Sequence, residues 1–340
     1  MIGAIVVLTA LAGVGRYVSG VSSIVAFVLA TLALAGLAWL VSFATDQTGR
    51  RFGPGVTGLM QSSFGNLPEF FVVVFALQAG QLVVAETAII GSILVNALMV
   101  LGLVIIAGAA RSRDGIMRFS PRLPLDTATL LLTSTFVIVL IALAHPGGHH
   151  AKTISIVGAI ALLIVYGAWL RQYLSGDSGP DSEVGPPRVP TAASVVLLVA
   201  GGTGSAFVSD WFVHALQPTI HTLHISRAFA GLVIVAIAGN AVENATGVVL
   251  AARGRSELAI SVVKNSVAQI AAFLYPALVL VSLLTATTLT FSLGAVYAGA
   301  LFGTAVIVWQ ITGDGEATVF EGAVLIAAYV VLAMVAAFES

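Results

Sequence analysis

The feature that most constrains this chain is a succession of apolar runs, each about long enough to cross a bilayer and separated by short polar breaks. A spanning helix needs about 20 apolar residues. Reading the runs against Gly, Pro and charged breaks predicts about eleven spans, at about 2–15, 20–44, 55–79, 83–110, 124–144, 152–174, 191–215, 226–252, 257–284, 291–311 and 318–338. Only 9% of the residues are charged, against about 25% in a soluble domain, so an integral membrane protein is expected. Membrane barrels show alternating strands of about ten residues. That alternation is absent here, and the expected fold class is an all-α membrane protein. The apolar N-terminus lacks a basic leader and is followed by many more spans, so it reads as a first helix and not as a cleaved signal peptide. The chain has no cysteine, which excludes disulfides, thiolate metal sites and thiol catalysis, and its net charge of −1 offers nothing to nucleic acid.

Positive loops stay in the cytoplasm. An eleven-span path gives one side Arg50, Arg51, Arg111, Arg113, Arg118, Arg122, Arg171, Arg188, Arg253 and Arg255, and the other only Arg16, Lys152 and Arg227. The N-terminus is therefore expected inside and the C-terminus outside, in a bacterial-type cell (inner) membrane. One polar linker, 175–190, is rich in Gly, Pro and Ser. It divides the chain into an N-terminal helix (1–19), a five-helix set (20–174) and a second five-helix set (191–340).

The two sets carry one motif twice. Phe64-Gly65-Asn66-Leu67-Pro68-Glu69 places a carboxylate inside an apolar run, and Gly239-Asn240-Ala241-Val242-Glu243 repeats it 174 positions later. The same offset carries Ser92 onto Ser266 without a gap. Five helices is an odd number, so the second copy enters the membrane from the opposite side. That is an inverted-topology repeat, with its site expected at the repeat interface near the midplane.

An intramembrane acid is a functional-site hypothesis by default, because charge at that depth is costly. Two such acids can bind a hard cation while ionised, or take up protons when it leaves, and that competition is an exchange mechanism. Hard cations take several oxygen ligands. The sequence supplies Glu69 and Glu243, the amides of Asn66, Asn240, Asn96 and Gln269, and the hydroxyls of Ser92 and Ser266. Gly65, Pro68 and Gly239 favour an opened helix whose carbonyls can face an ion. Gly91, Gly102, Gly201 and Gly204 read as helix-packing positions.

The first motif, with Ala76-Leu-Gln-Ala-Gly80 and Gly91-Ser-Ile-Leu-Val-Asn96, resembles the first α-repeat of the calcium/proton exchanger (CAX) family, in the cation/calcium exchanger superfamily. The stretch from Phe229 through Glu243 to Gln269-Ile270 and Pro276 is similar to its second α-repeat, and Asp314-Gly-Glu-Ala-Thr-Val-Phe-Glu-Gly322 to its closing span. The resemblance implies one N-terminal helix plus two inverted five-helix repeats, moving Ca²⁺ or another cation against H⁺ without ATP or cofactor. It implies that Glu69 and Glu243 bind cation and proton, and that Asn66, Asn240, Ser92, Ser266 and Gln269 line the site. The second repeat departs from the family pattern. Asn244 stands where the family has His, and Lys264-Asn265 precedes Ser266 where the family has Gly. A cation near the site disfavours a divalent ion more than a monovalent one, so Lys264, Asn265 and Asn244 are selectivity candidates and Na⁺/H⁺ or K⁺/H⁺ exchange is the alternative. Lys264 could equally snorkel to the cytoplasmic interface.

Asp46, at the end of the second span, and Asp210 could line the cation's access path or sit as capping or solvated groups. Glu86 and Glu321 lie near helix starts, where the dipole favours an acid. His145, His149, His150 and His214, His221, His224 read as solvated loop groups. No zinc-protease, nucleophile-elbow or phosphate-loop motif is present, which speaks against a membrane enzyme or ATP-driven pump. A passive cation channel is the rival from another class. The partners expected are an inorganic cation, protons and lipid; sequence gives no oligomeric state.

Overall fold

A computed structural model describes residues 1–52, 64–120, 122–144, 150–175 and 187–339, with residues 49–52, 122–126, 173–175 and 243 described for the backbone alone. The linker residues 176–186, and His145 and His149, lie outside the described residues.

The apolar runs form helices because a chain in hydrocarbon must satisfy its backbone polar groups internally. In order these are α1 (Ile2–Tyr17), α2 (Ser23–Phe52), α3 (Leu67–Gln78), α4 (Leu82–Ala109), α5 (Arg122–Ala144), α6 (Ala151–Ser175), α7 (Thr191–Leu223), α8 (Arg227–Gly239), α9 (Ala241–Ala252), α10 (Ser256–Leu284), α11 (Ala295–Thr312) and α12 (Val319–Phe338). Among the described residues eight are long and apolar enough to cross a membrane alone, and α8 and α9 taken together, bent by 58°, reach the length and apolarity of a ninth. The shorter apolar helices α1 and α3 fall within the remaining two expected spans, the upstream part of the α3 run lying outside the described residues. The chain is an all-α membrane protein. Two three-residue strands, β1 (Ile116–Arg118) and β2 (Glu316–Thr318), pair antiparallel between loops.

Helix ends depart from the apolar runs where polar side chains satisfy themselves. α2 runs past its apolar run, so Asp46 lies within it and not at its end. There Thr48 Oγ1 donates to Ala44 O at 2.8 Å, and Gln47 Oε1 accepts the Arg188 N–H. α7 likewise continues to Leu223, with Thr219 and Thr222 donating back to carbonyls four residues earlier.

The repeat offset is visible in the helices. Adding 174 to α3 gives the bounds of α9, and adding it to the start of α4 gives the start of α10. Both long helices widen into a π-helical stretch at matching places, Val95–Val100 and Ile270–Leu274.

Loop contacts sort the chain into two ends. At one end Arg111 Nη1 donates to Ala252 O, Arg188 N to Gln47 Oε1, and β1 pairs with β2. The two strands follow twin Asp-Gly turns. Asp114 Oδ1 accepts from Ile116 N and Asp314 Oδ1 from Glu316 N, with Gly115 and Gly315 at φ 71° and 82°. Arg118 bonds both Asp114 (2.7 Å) and Glu316 (3.0 Å), and its hydrogen bond holds the Asp114 carboxyl below the usual carboxylate range. At the other end Ser155 Oγ accepts from Phe291 N, and Ser226 Oγ donates to Ala336 O. Each pair joins loops that an eleven-span path places on the same side.

Close packing at glycine holds the halves together. A Cβ on Gly91 would stand 2.6 Å from Leu232 Cα, one on Gly231 2.7 Å from Val84 O, and one on Gly102 2.6 Å from Gly322 O. Gly201 meets Val41 and Gly204 meets Leu37, so all four glycines assigned to packing touch another helix.

Candidate cation site

In each motif a helix starts just after the asparagine. Asn66 (φ −92°, ψ 14°) precedes α3, and Asn240 (φ −103°, ψ 11°) separates α8 from α9. Both occupy the sparsely populated bridge region, where active-site residues collect. Pro68 sits in the first turn of α3, where a missing N–H costs nothing. Its counterpart is Val242, so α9 starts with the same backbone at Asn240 and no proline. Ser209 Oγ of α7 donates to Pro68 O at 3.3 Å and braces the start of α3.

These starts place each acid in the first turn of its helix, Glu69 in α3 and Glu243 in α9. Glu69 is 2% exposed. A Cβ on Gly239 would lie 3.7 Å from Glu69 Cβ, so the acid of the first motif packs against the glycine of the second. The Glu243 side chain lies outside the described residues.

Around this crossing runs a buried polar network. Asn240 Nδ2 donates to Ser92 Oγ at 2.9 Å and to Ala236 O at 3.0 Å. Asn96 Nδ2 donates to Asn240 Oδ1 and to Ser92 O, both at 3.0 Å. All three side chains are buried. Asn96 Oδ1 is buried and accepts no hydrogen bond among the described residues, which leaves a carboxamide oxygen for a cation. The counterparts Asn66 and Ser266 are buried as well, and Gln269 is half-buried at the start of the second π-helical stretch.

A Cβ on Gly247 would stand 2.9 Å from Val263 Cγ2, which sets the register of the α9–α10 hairpin and brings Asn244 level with Ser266. Asn244 Oδ1 and Asn265 Oδ1 are buried and accept no hydrogen bond among the described residues, while Asn265 Nδ2 lies 3.4 Å from Ser261 Oγ. Lys264 is 4% exposed, and its ammonium donates to Thr312 Oγ1 at 2.6 Å in the last turn of α11, toward the arginine-rich end. Successive helical residues turn about 100°, so Lys264 and Ser266 leave α10 on roughly opposite sides.

The buried oxygens gathered here come from a carboxylate, amides and hydroxyls, the set a hard cation prefers. Among the described residues no three His, Cys, Asp or Glu converge. Ser209, Thr312 and the π-helical stretches carry no sequence signal that sets them apart from other apolar-helix residues. Such π turns are frequent at functional sites.

A family model described as "Sodium/calcium exchanger protein" matches residues 22–171 and 193–338. The chain is 32% identical over 324 residues to the vacuolar calcium ion transporter of Schizosaccharomyces pombe, covering 91% of this chain and 78% of that one. It is 28% identical to the Ca(2+)/H(+) antiporter ChaA of Bacillus subtilis, covering 92% of each. The solved structure of native YfkE superposes with a TM-score of 0.84 at 25% identity, over 98% of this chain and 100% of that one.

Proposed function

The chain belongs to the sodium/calcium exchanger protein family and its calcium/proton exchanger branch, and we propose that it is a secondary antiporter exchanging a cation, Ca²⁺ foremost, for protons. The observation that carries this reading is the crossing of the two motifs, with Glu69 against Gly239 and Asn240 bonded to Ser92 and Asn96. The antiporter ChaA of Bacillus subtilis, named for Ca²⁺/H⁺ exchange, is similar along nearly its whole length.

In this reading Glu69 and Glu243 ionise to bind the cation and take up protons when it leaves. Asn66, Asn240, Asn96, Gln269, Ser92 and Ser266 complete the oxygen shell. Bare carboxylates in a low-dielectric interior are costly, so the empty site returns protonated and the two fluxes are coupled. Residues 20–174 and 191–340 act as the two inverted halves, with 1–19 as the extra helix and 175–190 as the connector, and alternating access comes from one half moving against the other. Gly65 and Gly239 keep the helices open at the site, with Pro68 reinforcing the first. The arginine-rich end faces the cytoplasm of a cell (inner) membrane, which puts the N-terminus inside and the C-terminus outside.

The buried ammonium of Lys264 favours one second reading, Na⁺/H⁺ or K⁺/H⁺ exchange, with Asn244 and Asn265 adjusting the same half of the site. A cation panel on everted vesicles carrying a pH dye decides between them. Ca²⁺ is expected to dissipate a preformed acid interior, and dissipation by Na⁺ or K⁺ but not Ca²⁺ replaces the calcium reading with the alternative.

A further inference from the structure

At the end away from the arginine-rich loops, α1, the start of α2 and α7 line an open cavity of about 250 Å³ that takes no part in the cation site. Its walls depend on close approach. A Cβ on Gly13 would stand 3.2 Å from the Trp211 ring, and one on Gly15 3.2 Å from Ala26 Cα. Tyr17 meets Trp211 edge to face with centroids 5.9 Å apart. Arg16, His214, Ser19 and Ser23 line the cavity, and no acidic residue does. The nearest acid along α7, Asp210, lies one turn before His214 and is not part of the lining. Arg16 Nε is buried without a hydrogen-bond partner among the described residues, and the guanidinium carbon lies 5.4 Å from the Tyr17 ring centroid.

This is a cationic recess at a boundary. Tyr and Trp collect at the membrane–water interface. Val7, Leu11 and Val14 form an exposed apolar stripe at helical spacing along α1, and exposed Val18, just past its end, lines the cavity itself. A ligand with an anionic head and an apolar tail matches both parts. The planar guanidinium fork suits a phosphate.

We propose that this cavity binds the phosphodiester headgroup of an anionic phospholipid, gripped by Arg16 and supported by His214 and the two serines, with an acyl chain along the α1 stripe. The lipid joins α1 to α2 and α7, the first long helices of the two five-helix sets, and stabilises the three together.

The test uses the full-length protein in neutral detergent, titrated with phosphatidylglycerol, with phosphatidylcholine of the same chain length, and with inorganic phosphate. Binding is read by native mass spectrometry and by the thermal unfolding midpoint. Phosphatidylglycerol is expected to bind at one site and raise the midpoint, with phosphatidylcholine far weaker. Arg16→Gln is expected to weaken phosphatidylglycerol binding about tenfold, the scale of one lost charge-assisted hydrogen bond, while its lipid-free midpoint stays at the wild-type value. Arg16→Lys is expected to recover part of the loss. Equal binding of the two lipids, or undiminished binding by Arg16→Gln, overturns the proposal. A midpoint rise with inorganic phosphate matching that with phosphatidylglycerol overturns the lipid assignment in favour of a free oxyanion.

Discussion

Asn96 in the first repeat donates from Nδ2 to Oδ1 of Asn240 in the second, at 3.0 Å, in a part of the protein closed to water. Asn240 is also the residue at which its helix breaks, so one side chain links the backbone opening to the opposite repeat. Asn240→Ala removes both ends of that link and leaves the Asn96 amide and Ser92 hydroxyl short of partners. Each buried unsatisfied group costs about 1–3 kcal/mol. Apparent cation affinity is expected to fall about tenfold or more, and in a cycle of Asn96→Ala with Asn240→Ala the double mutant should lose less than the sum of the singles. Additive losses in transport titrations would separate the two residues.

The glycine contacts predict a sharp steric contrast. Gly91→Ala drives a methyl into the Leu232 backbone, whereas a Cβ on Gly303 meets nothing within 4 Å. Overpacking of this kind costs about 1–3 kcal/mol, more when the obstacle is backbone. Gly91→Ala is expected to lower the unfolding midpoint and the rate of exchange, and Gly303→Ala to leave both unchanged. Similar midpoints for the two variants would deny the close approach of α4 and α8.

Lys264→Met removes the buried positive charge and the hydrogen bond that the Thr312 hydroxyl accepts, while that hydroxyl still donates to Val308 O at 2.7 Å. If the ammonium sets selectivity, Ca²⁺ should gain over Na⁺ on the order of tenfold, because repulsion scales with ionic charge. A changed stability with an unchanged Ca²⁺/Na⁺ ratio assigns Lys264 to holding α10 on α11 alone.

The absence of cysteine makes orientation directly measurable. Arg113→Cys lies beside the twin Asp-Gly turns and Thr222→Cys at the other end of the molecule, both exposed. In intact cells an impermeant maleimide should label position 222 and spare position 113. The reverse pattern inverts the proposed topology.

Much of the fold could be read from residue order, because the Gly-Asn-x-x-Glu motif and its serine recur at one offset, and the helices keep that offset at their bounds. Helix ends were less legible. Thr48, Gln47, Thr219 and Thr222 look like the end of a span by hydropathy, yet they bond backbone and loop groups and let the helices continue. At the site, Glu69, Ser92, Asn96 and Asn240 announced themselves as polar residues in apolar runs. Thr312, Ser209 and the π-helical stretches did not, because what marks them is a partner on another helix or a backbone geometry that many sequences adopt. Pro68 drew notice for a helix start that its counterpart Val242 shares without a proline ring.

The most direct measurement is ⁴⁵Ca²⁺ uptake into proteoliposomes of the purified protein, driven only by an imposed pH gradient, for wild type, Glu69→Gln and Glu243→Gln. Wild type should accumulate Ca²⁺ against its gradient and stop when the pH gradient is collapsed, and both variants should insert normally and show none. Undiminished uptake after collapse, or uptake retained by either variant, would contradict a two-carboxylate cation/proton exchanger.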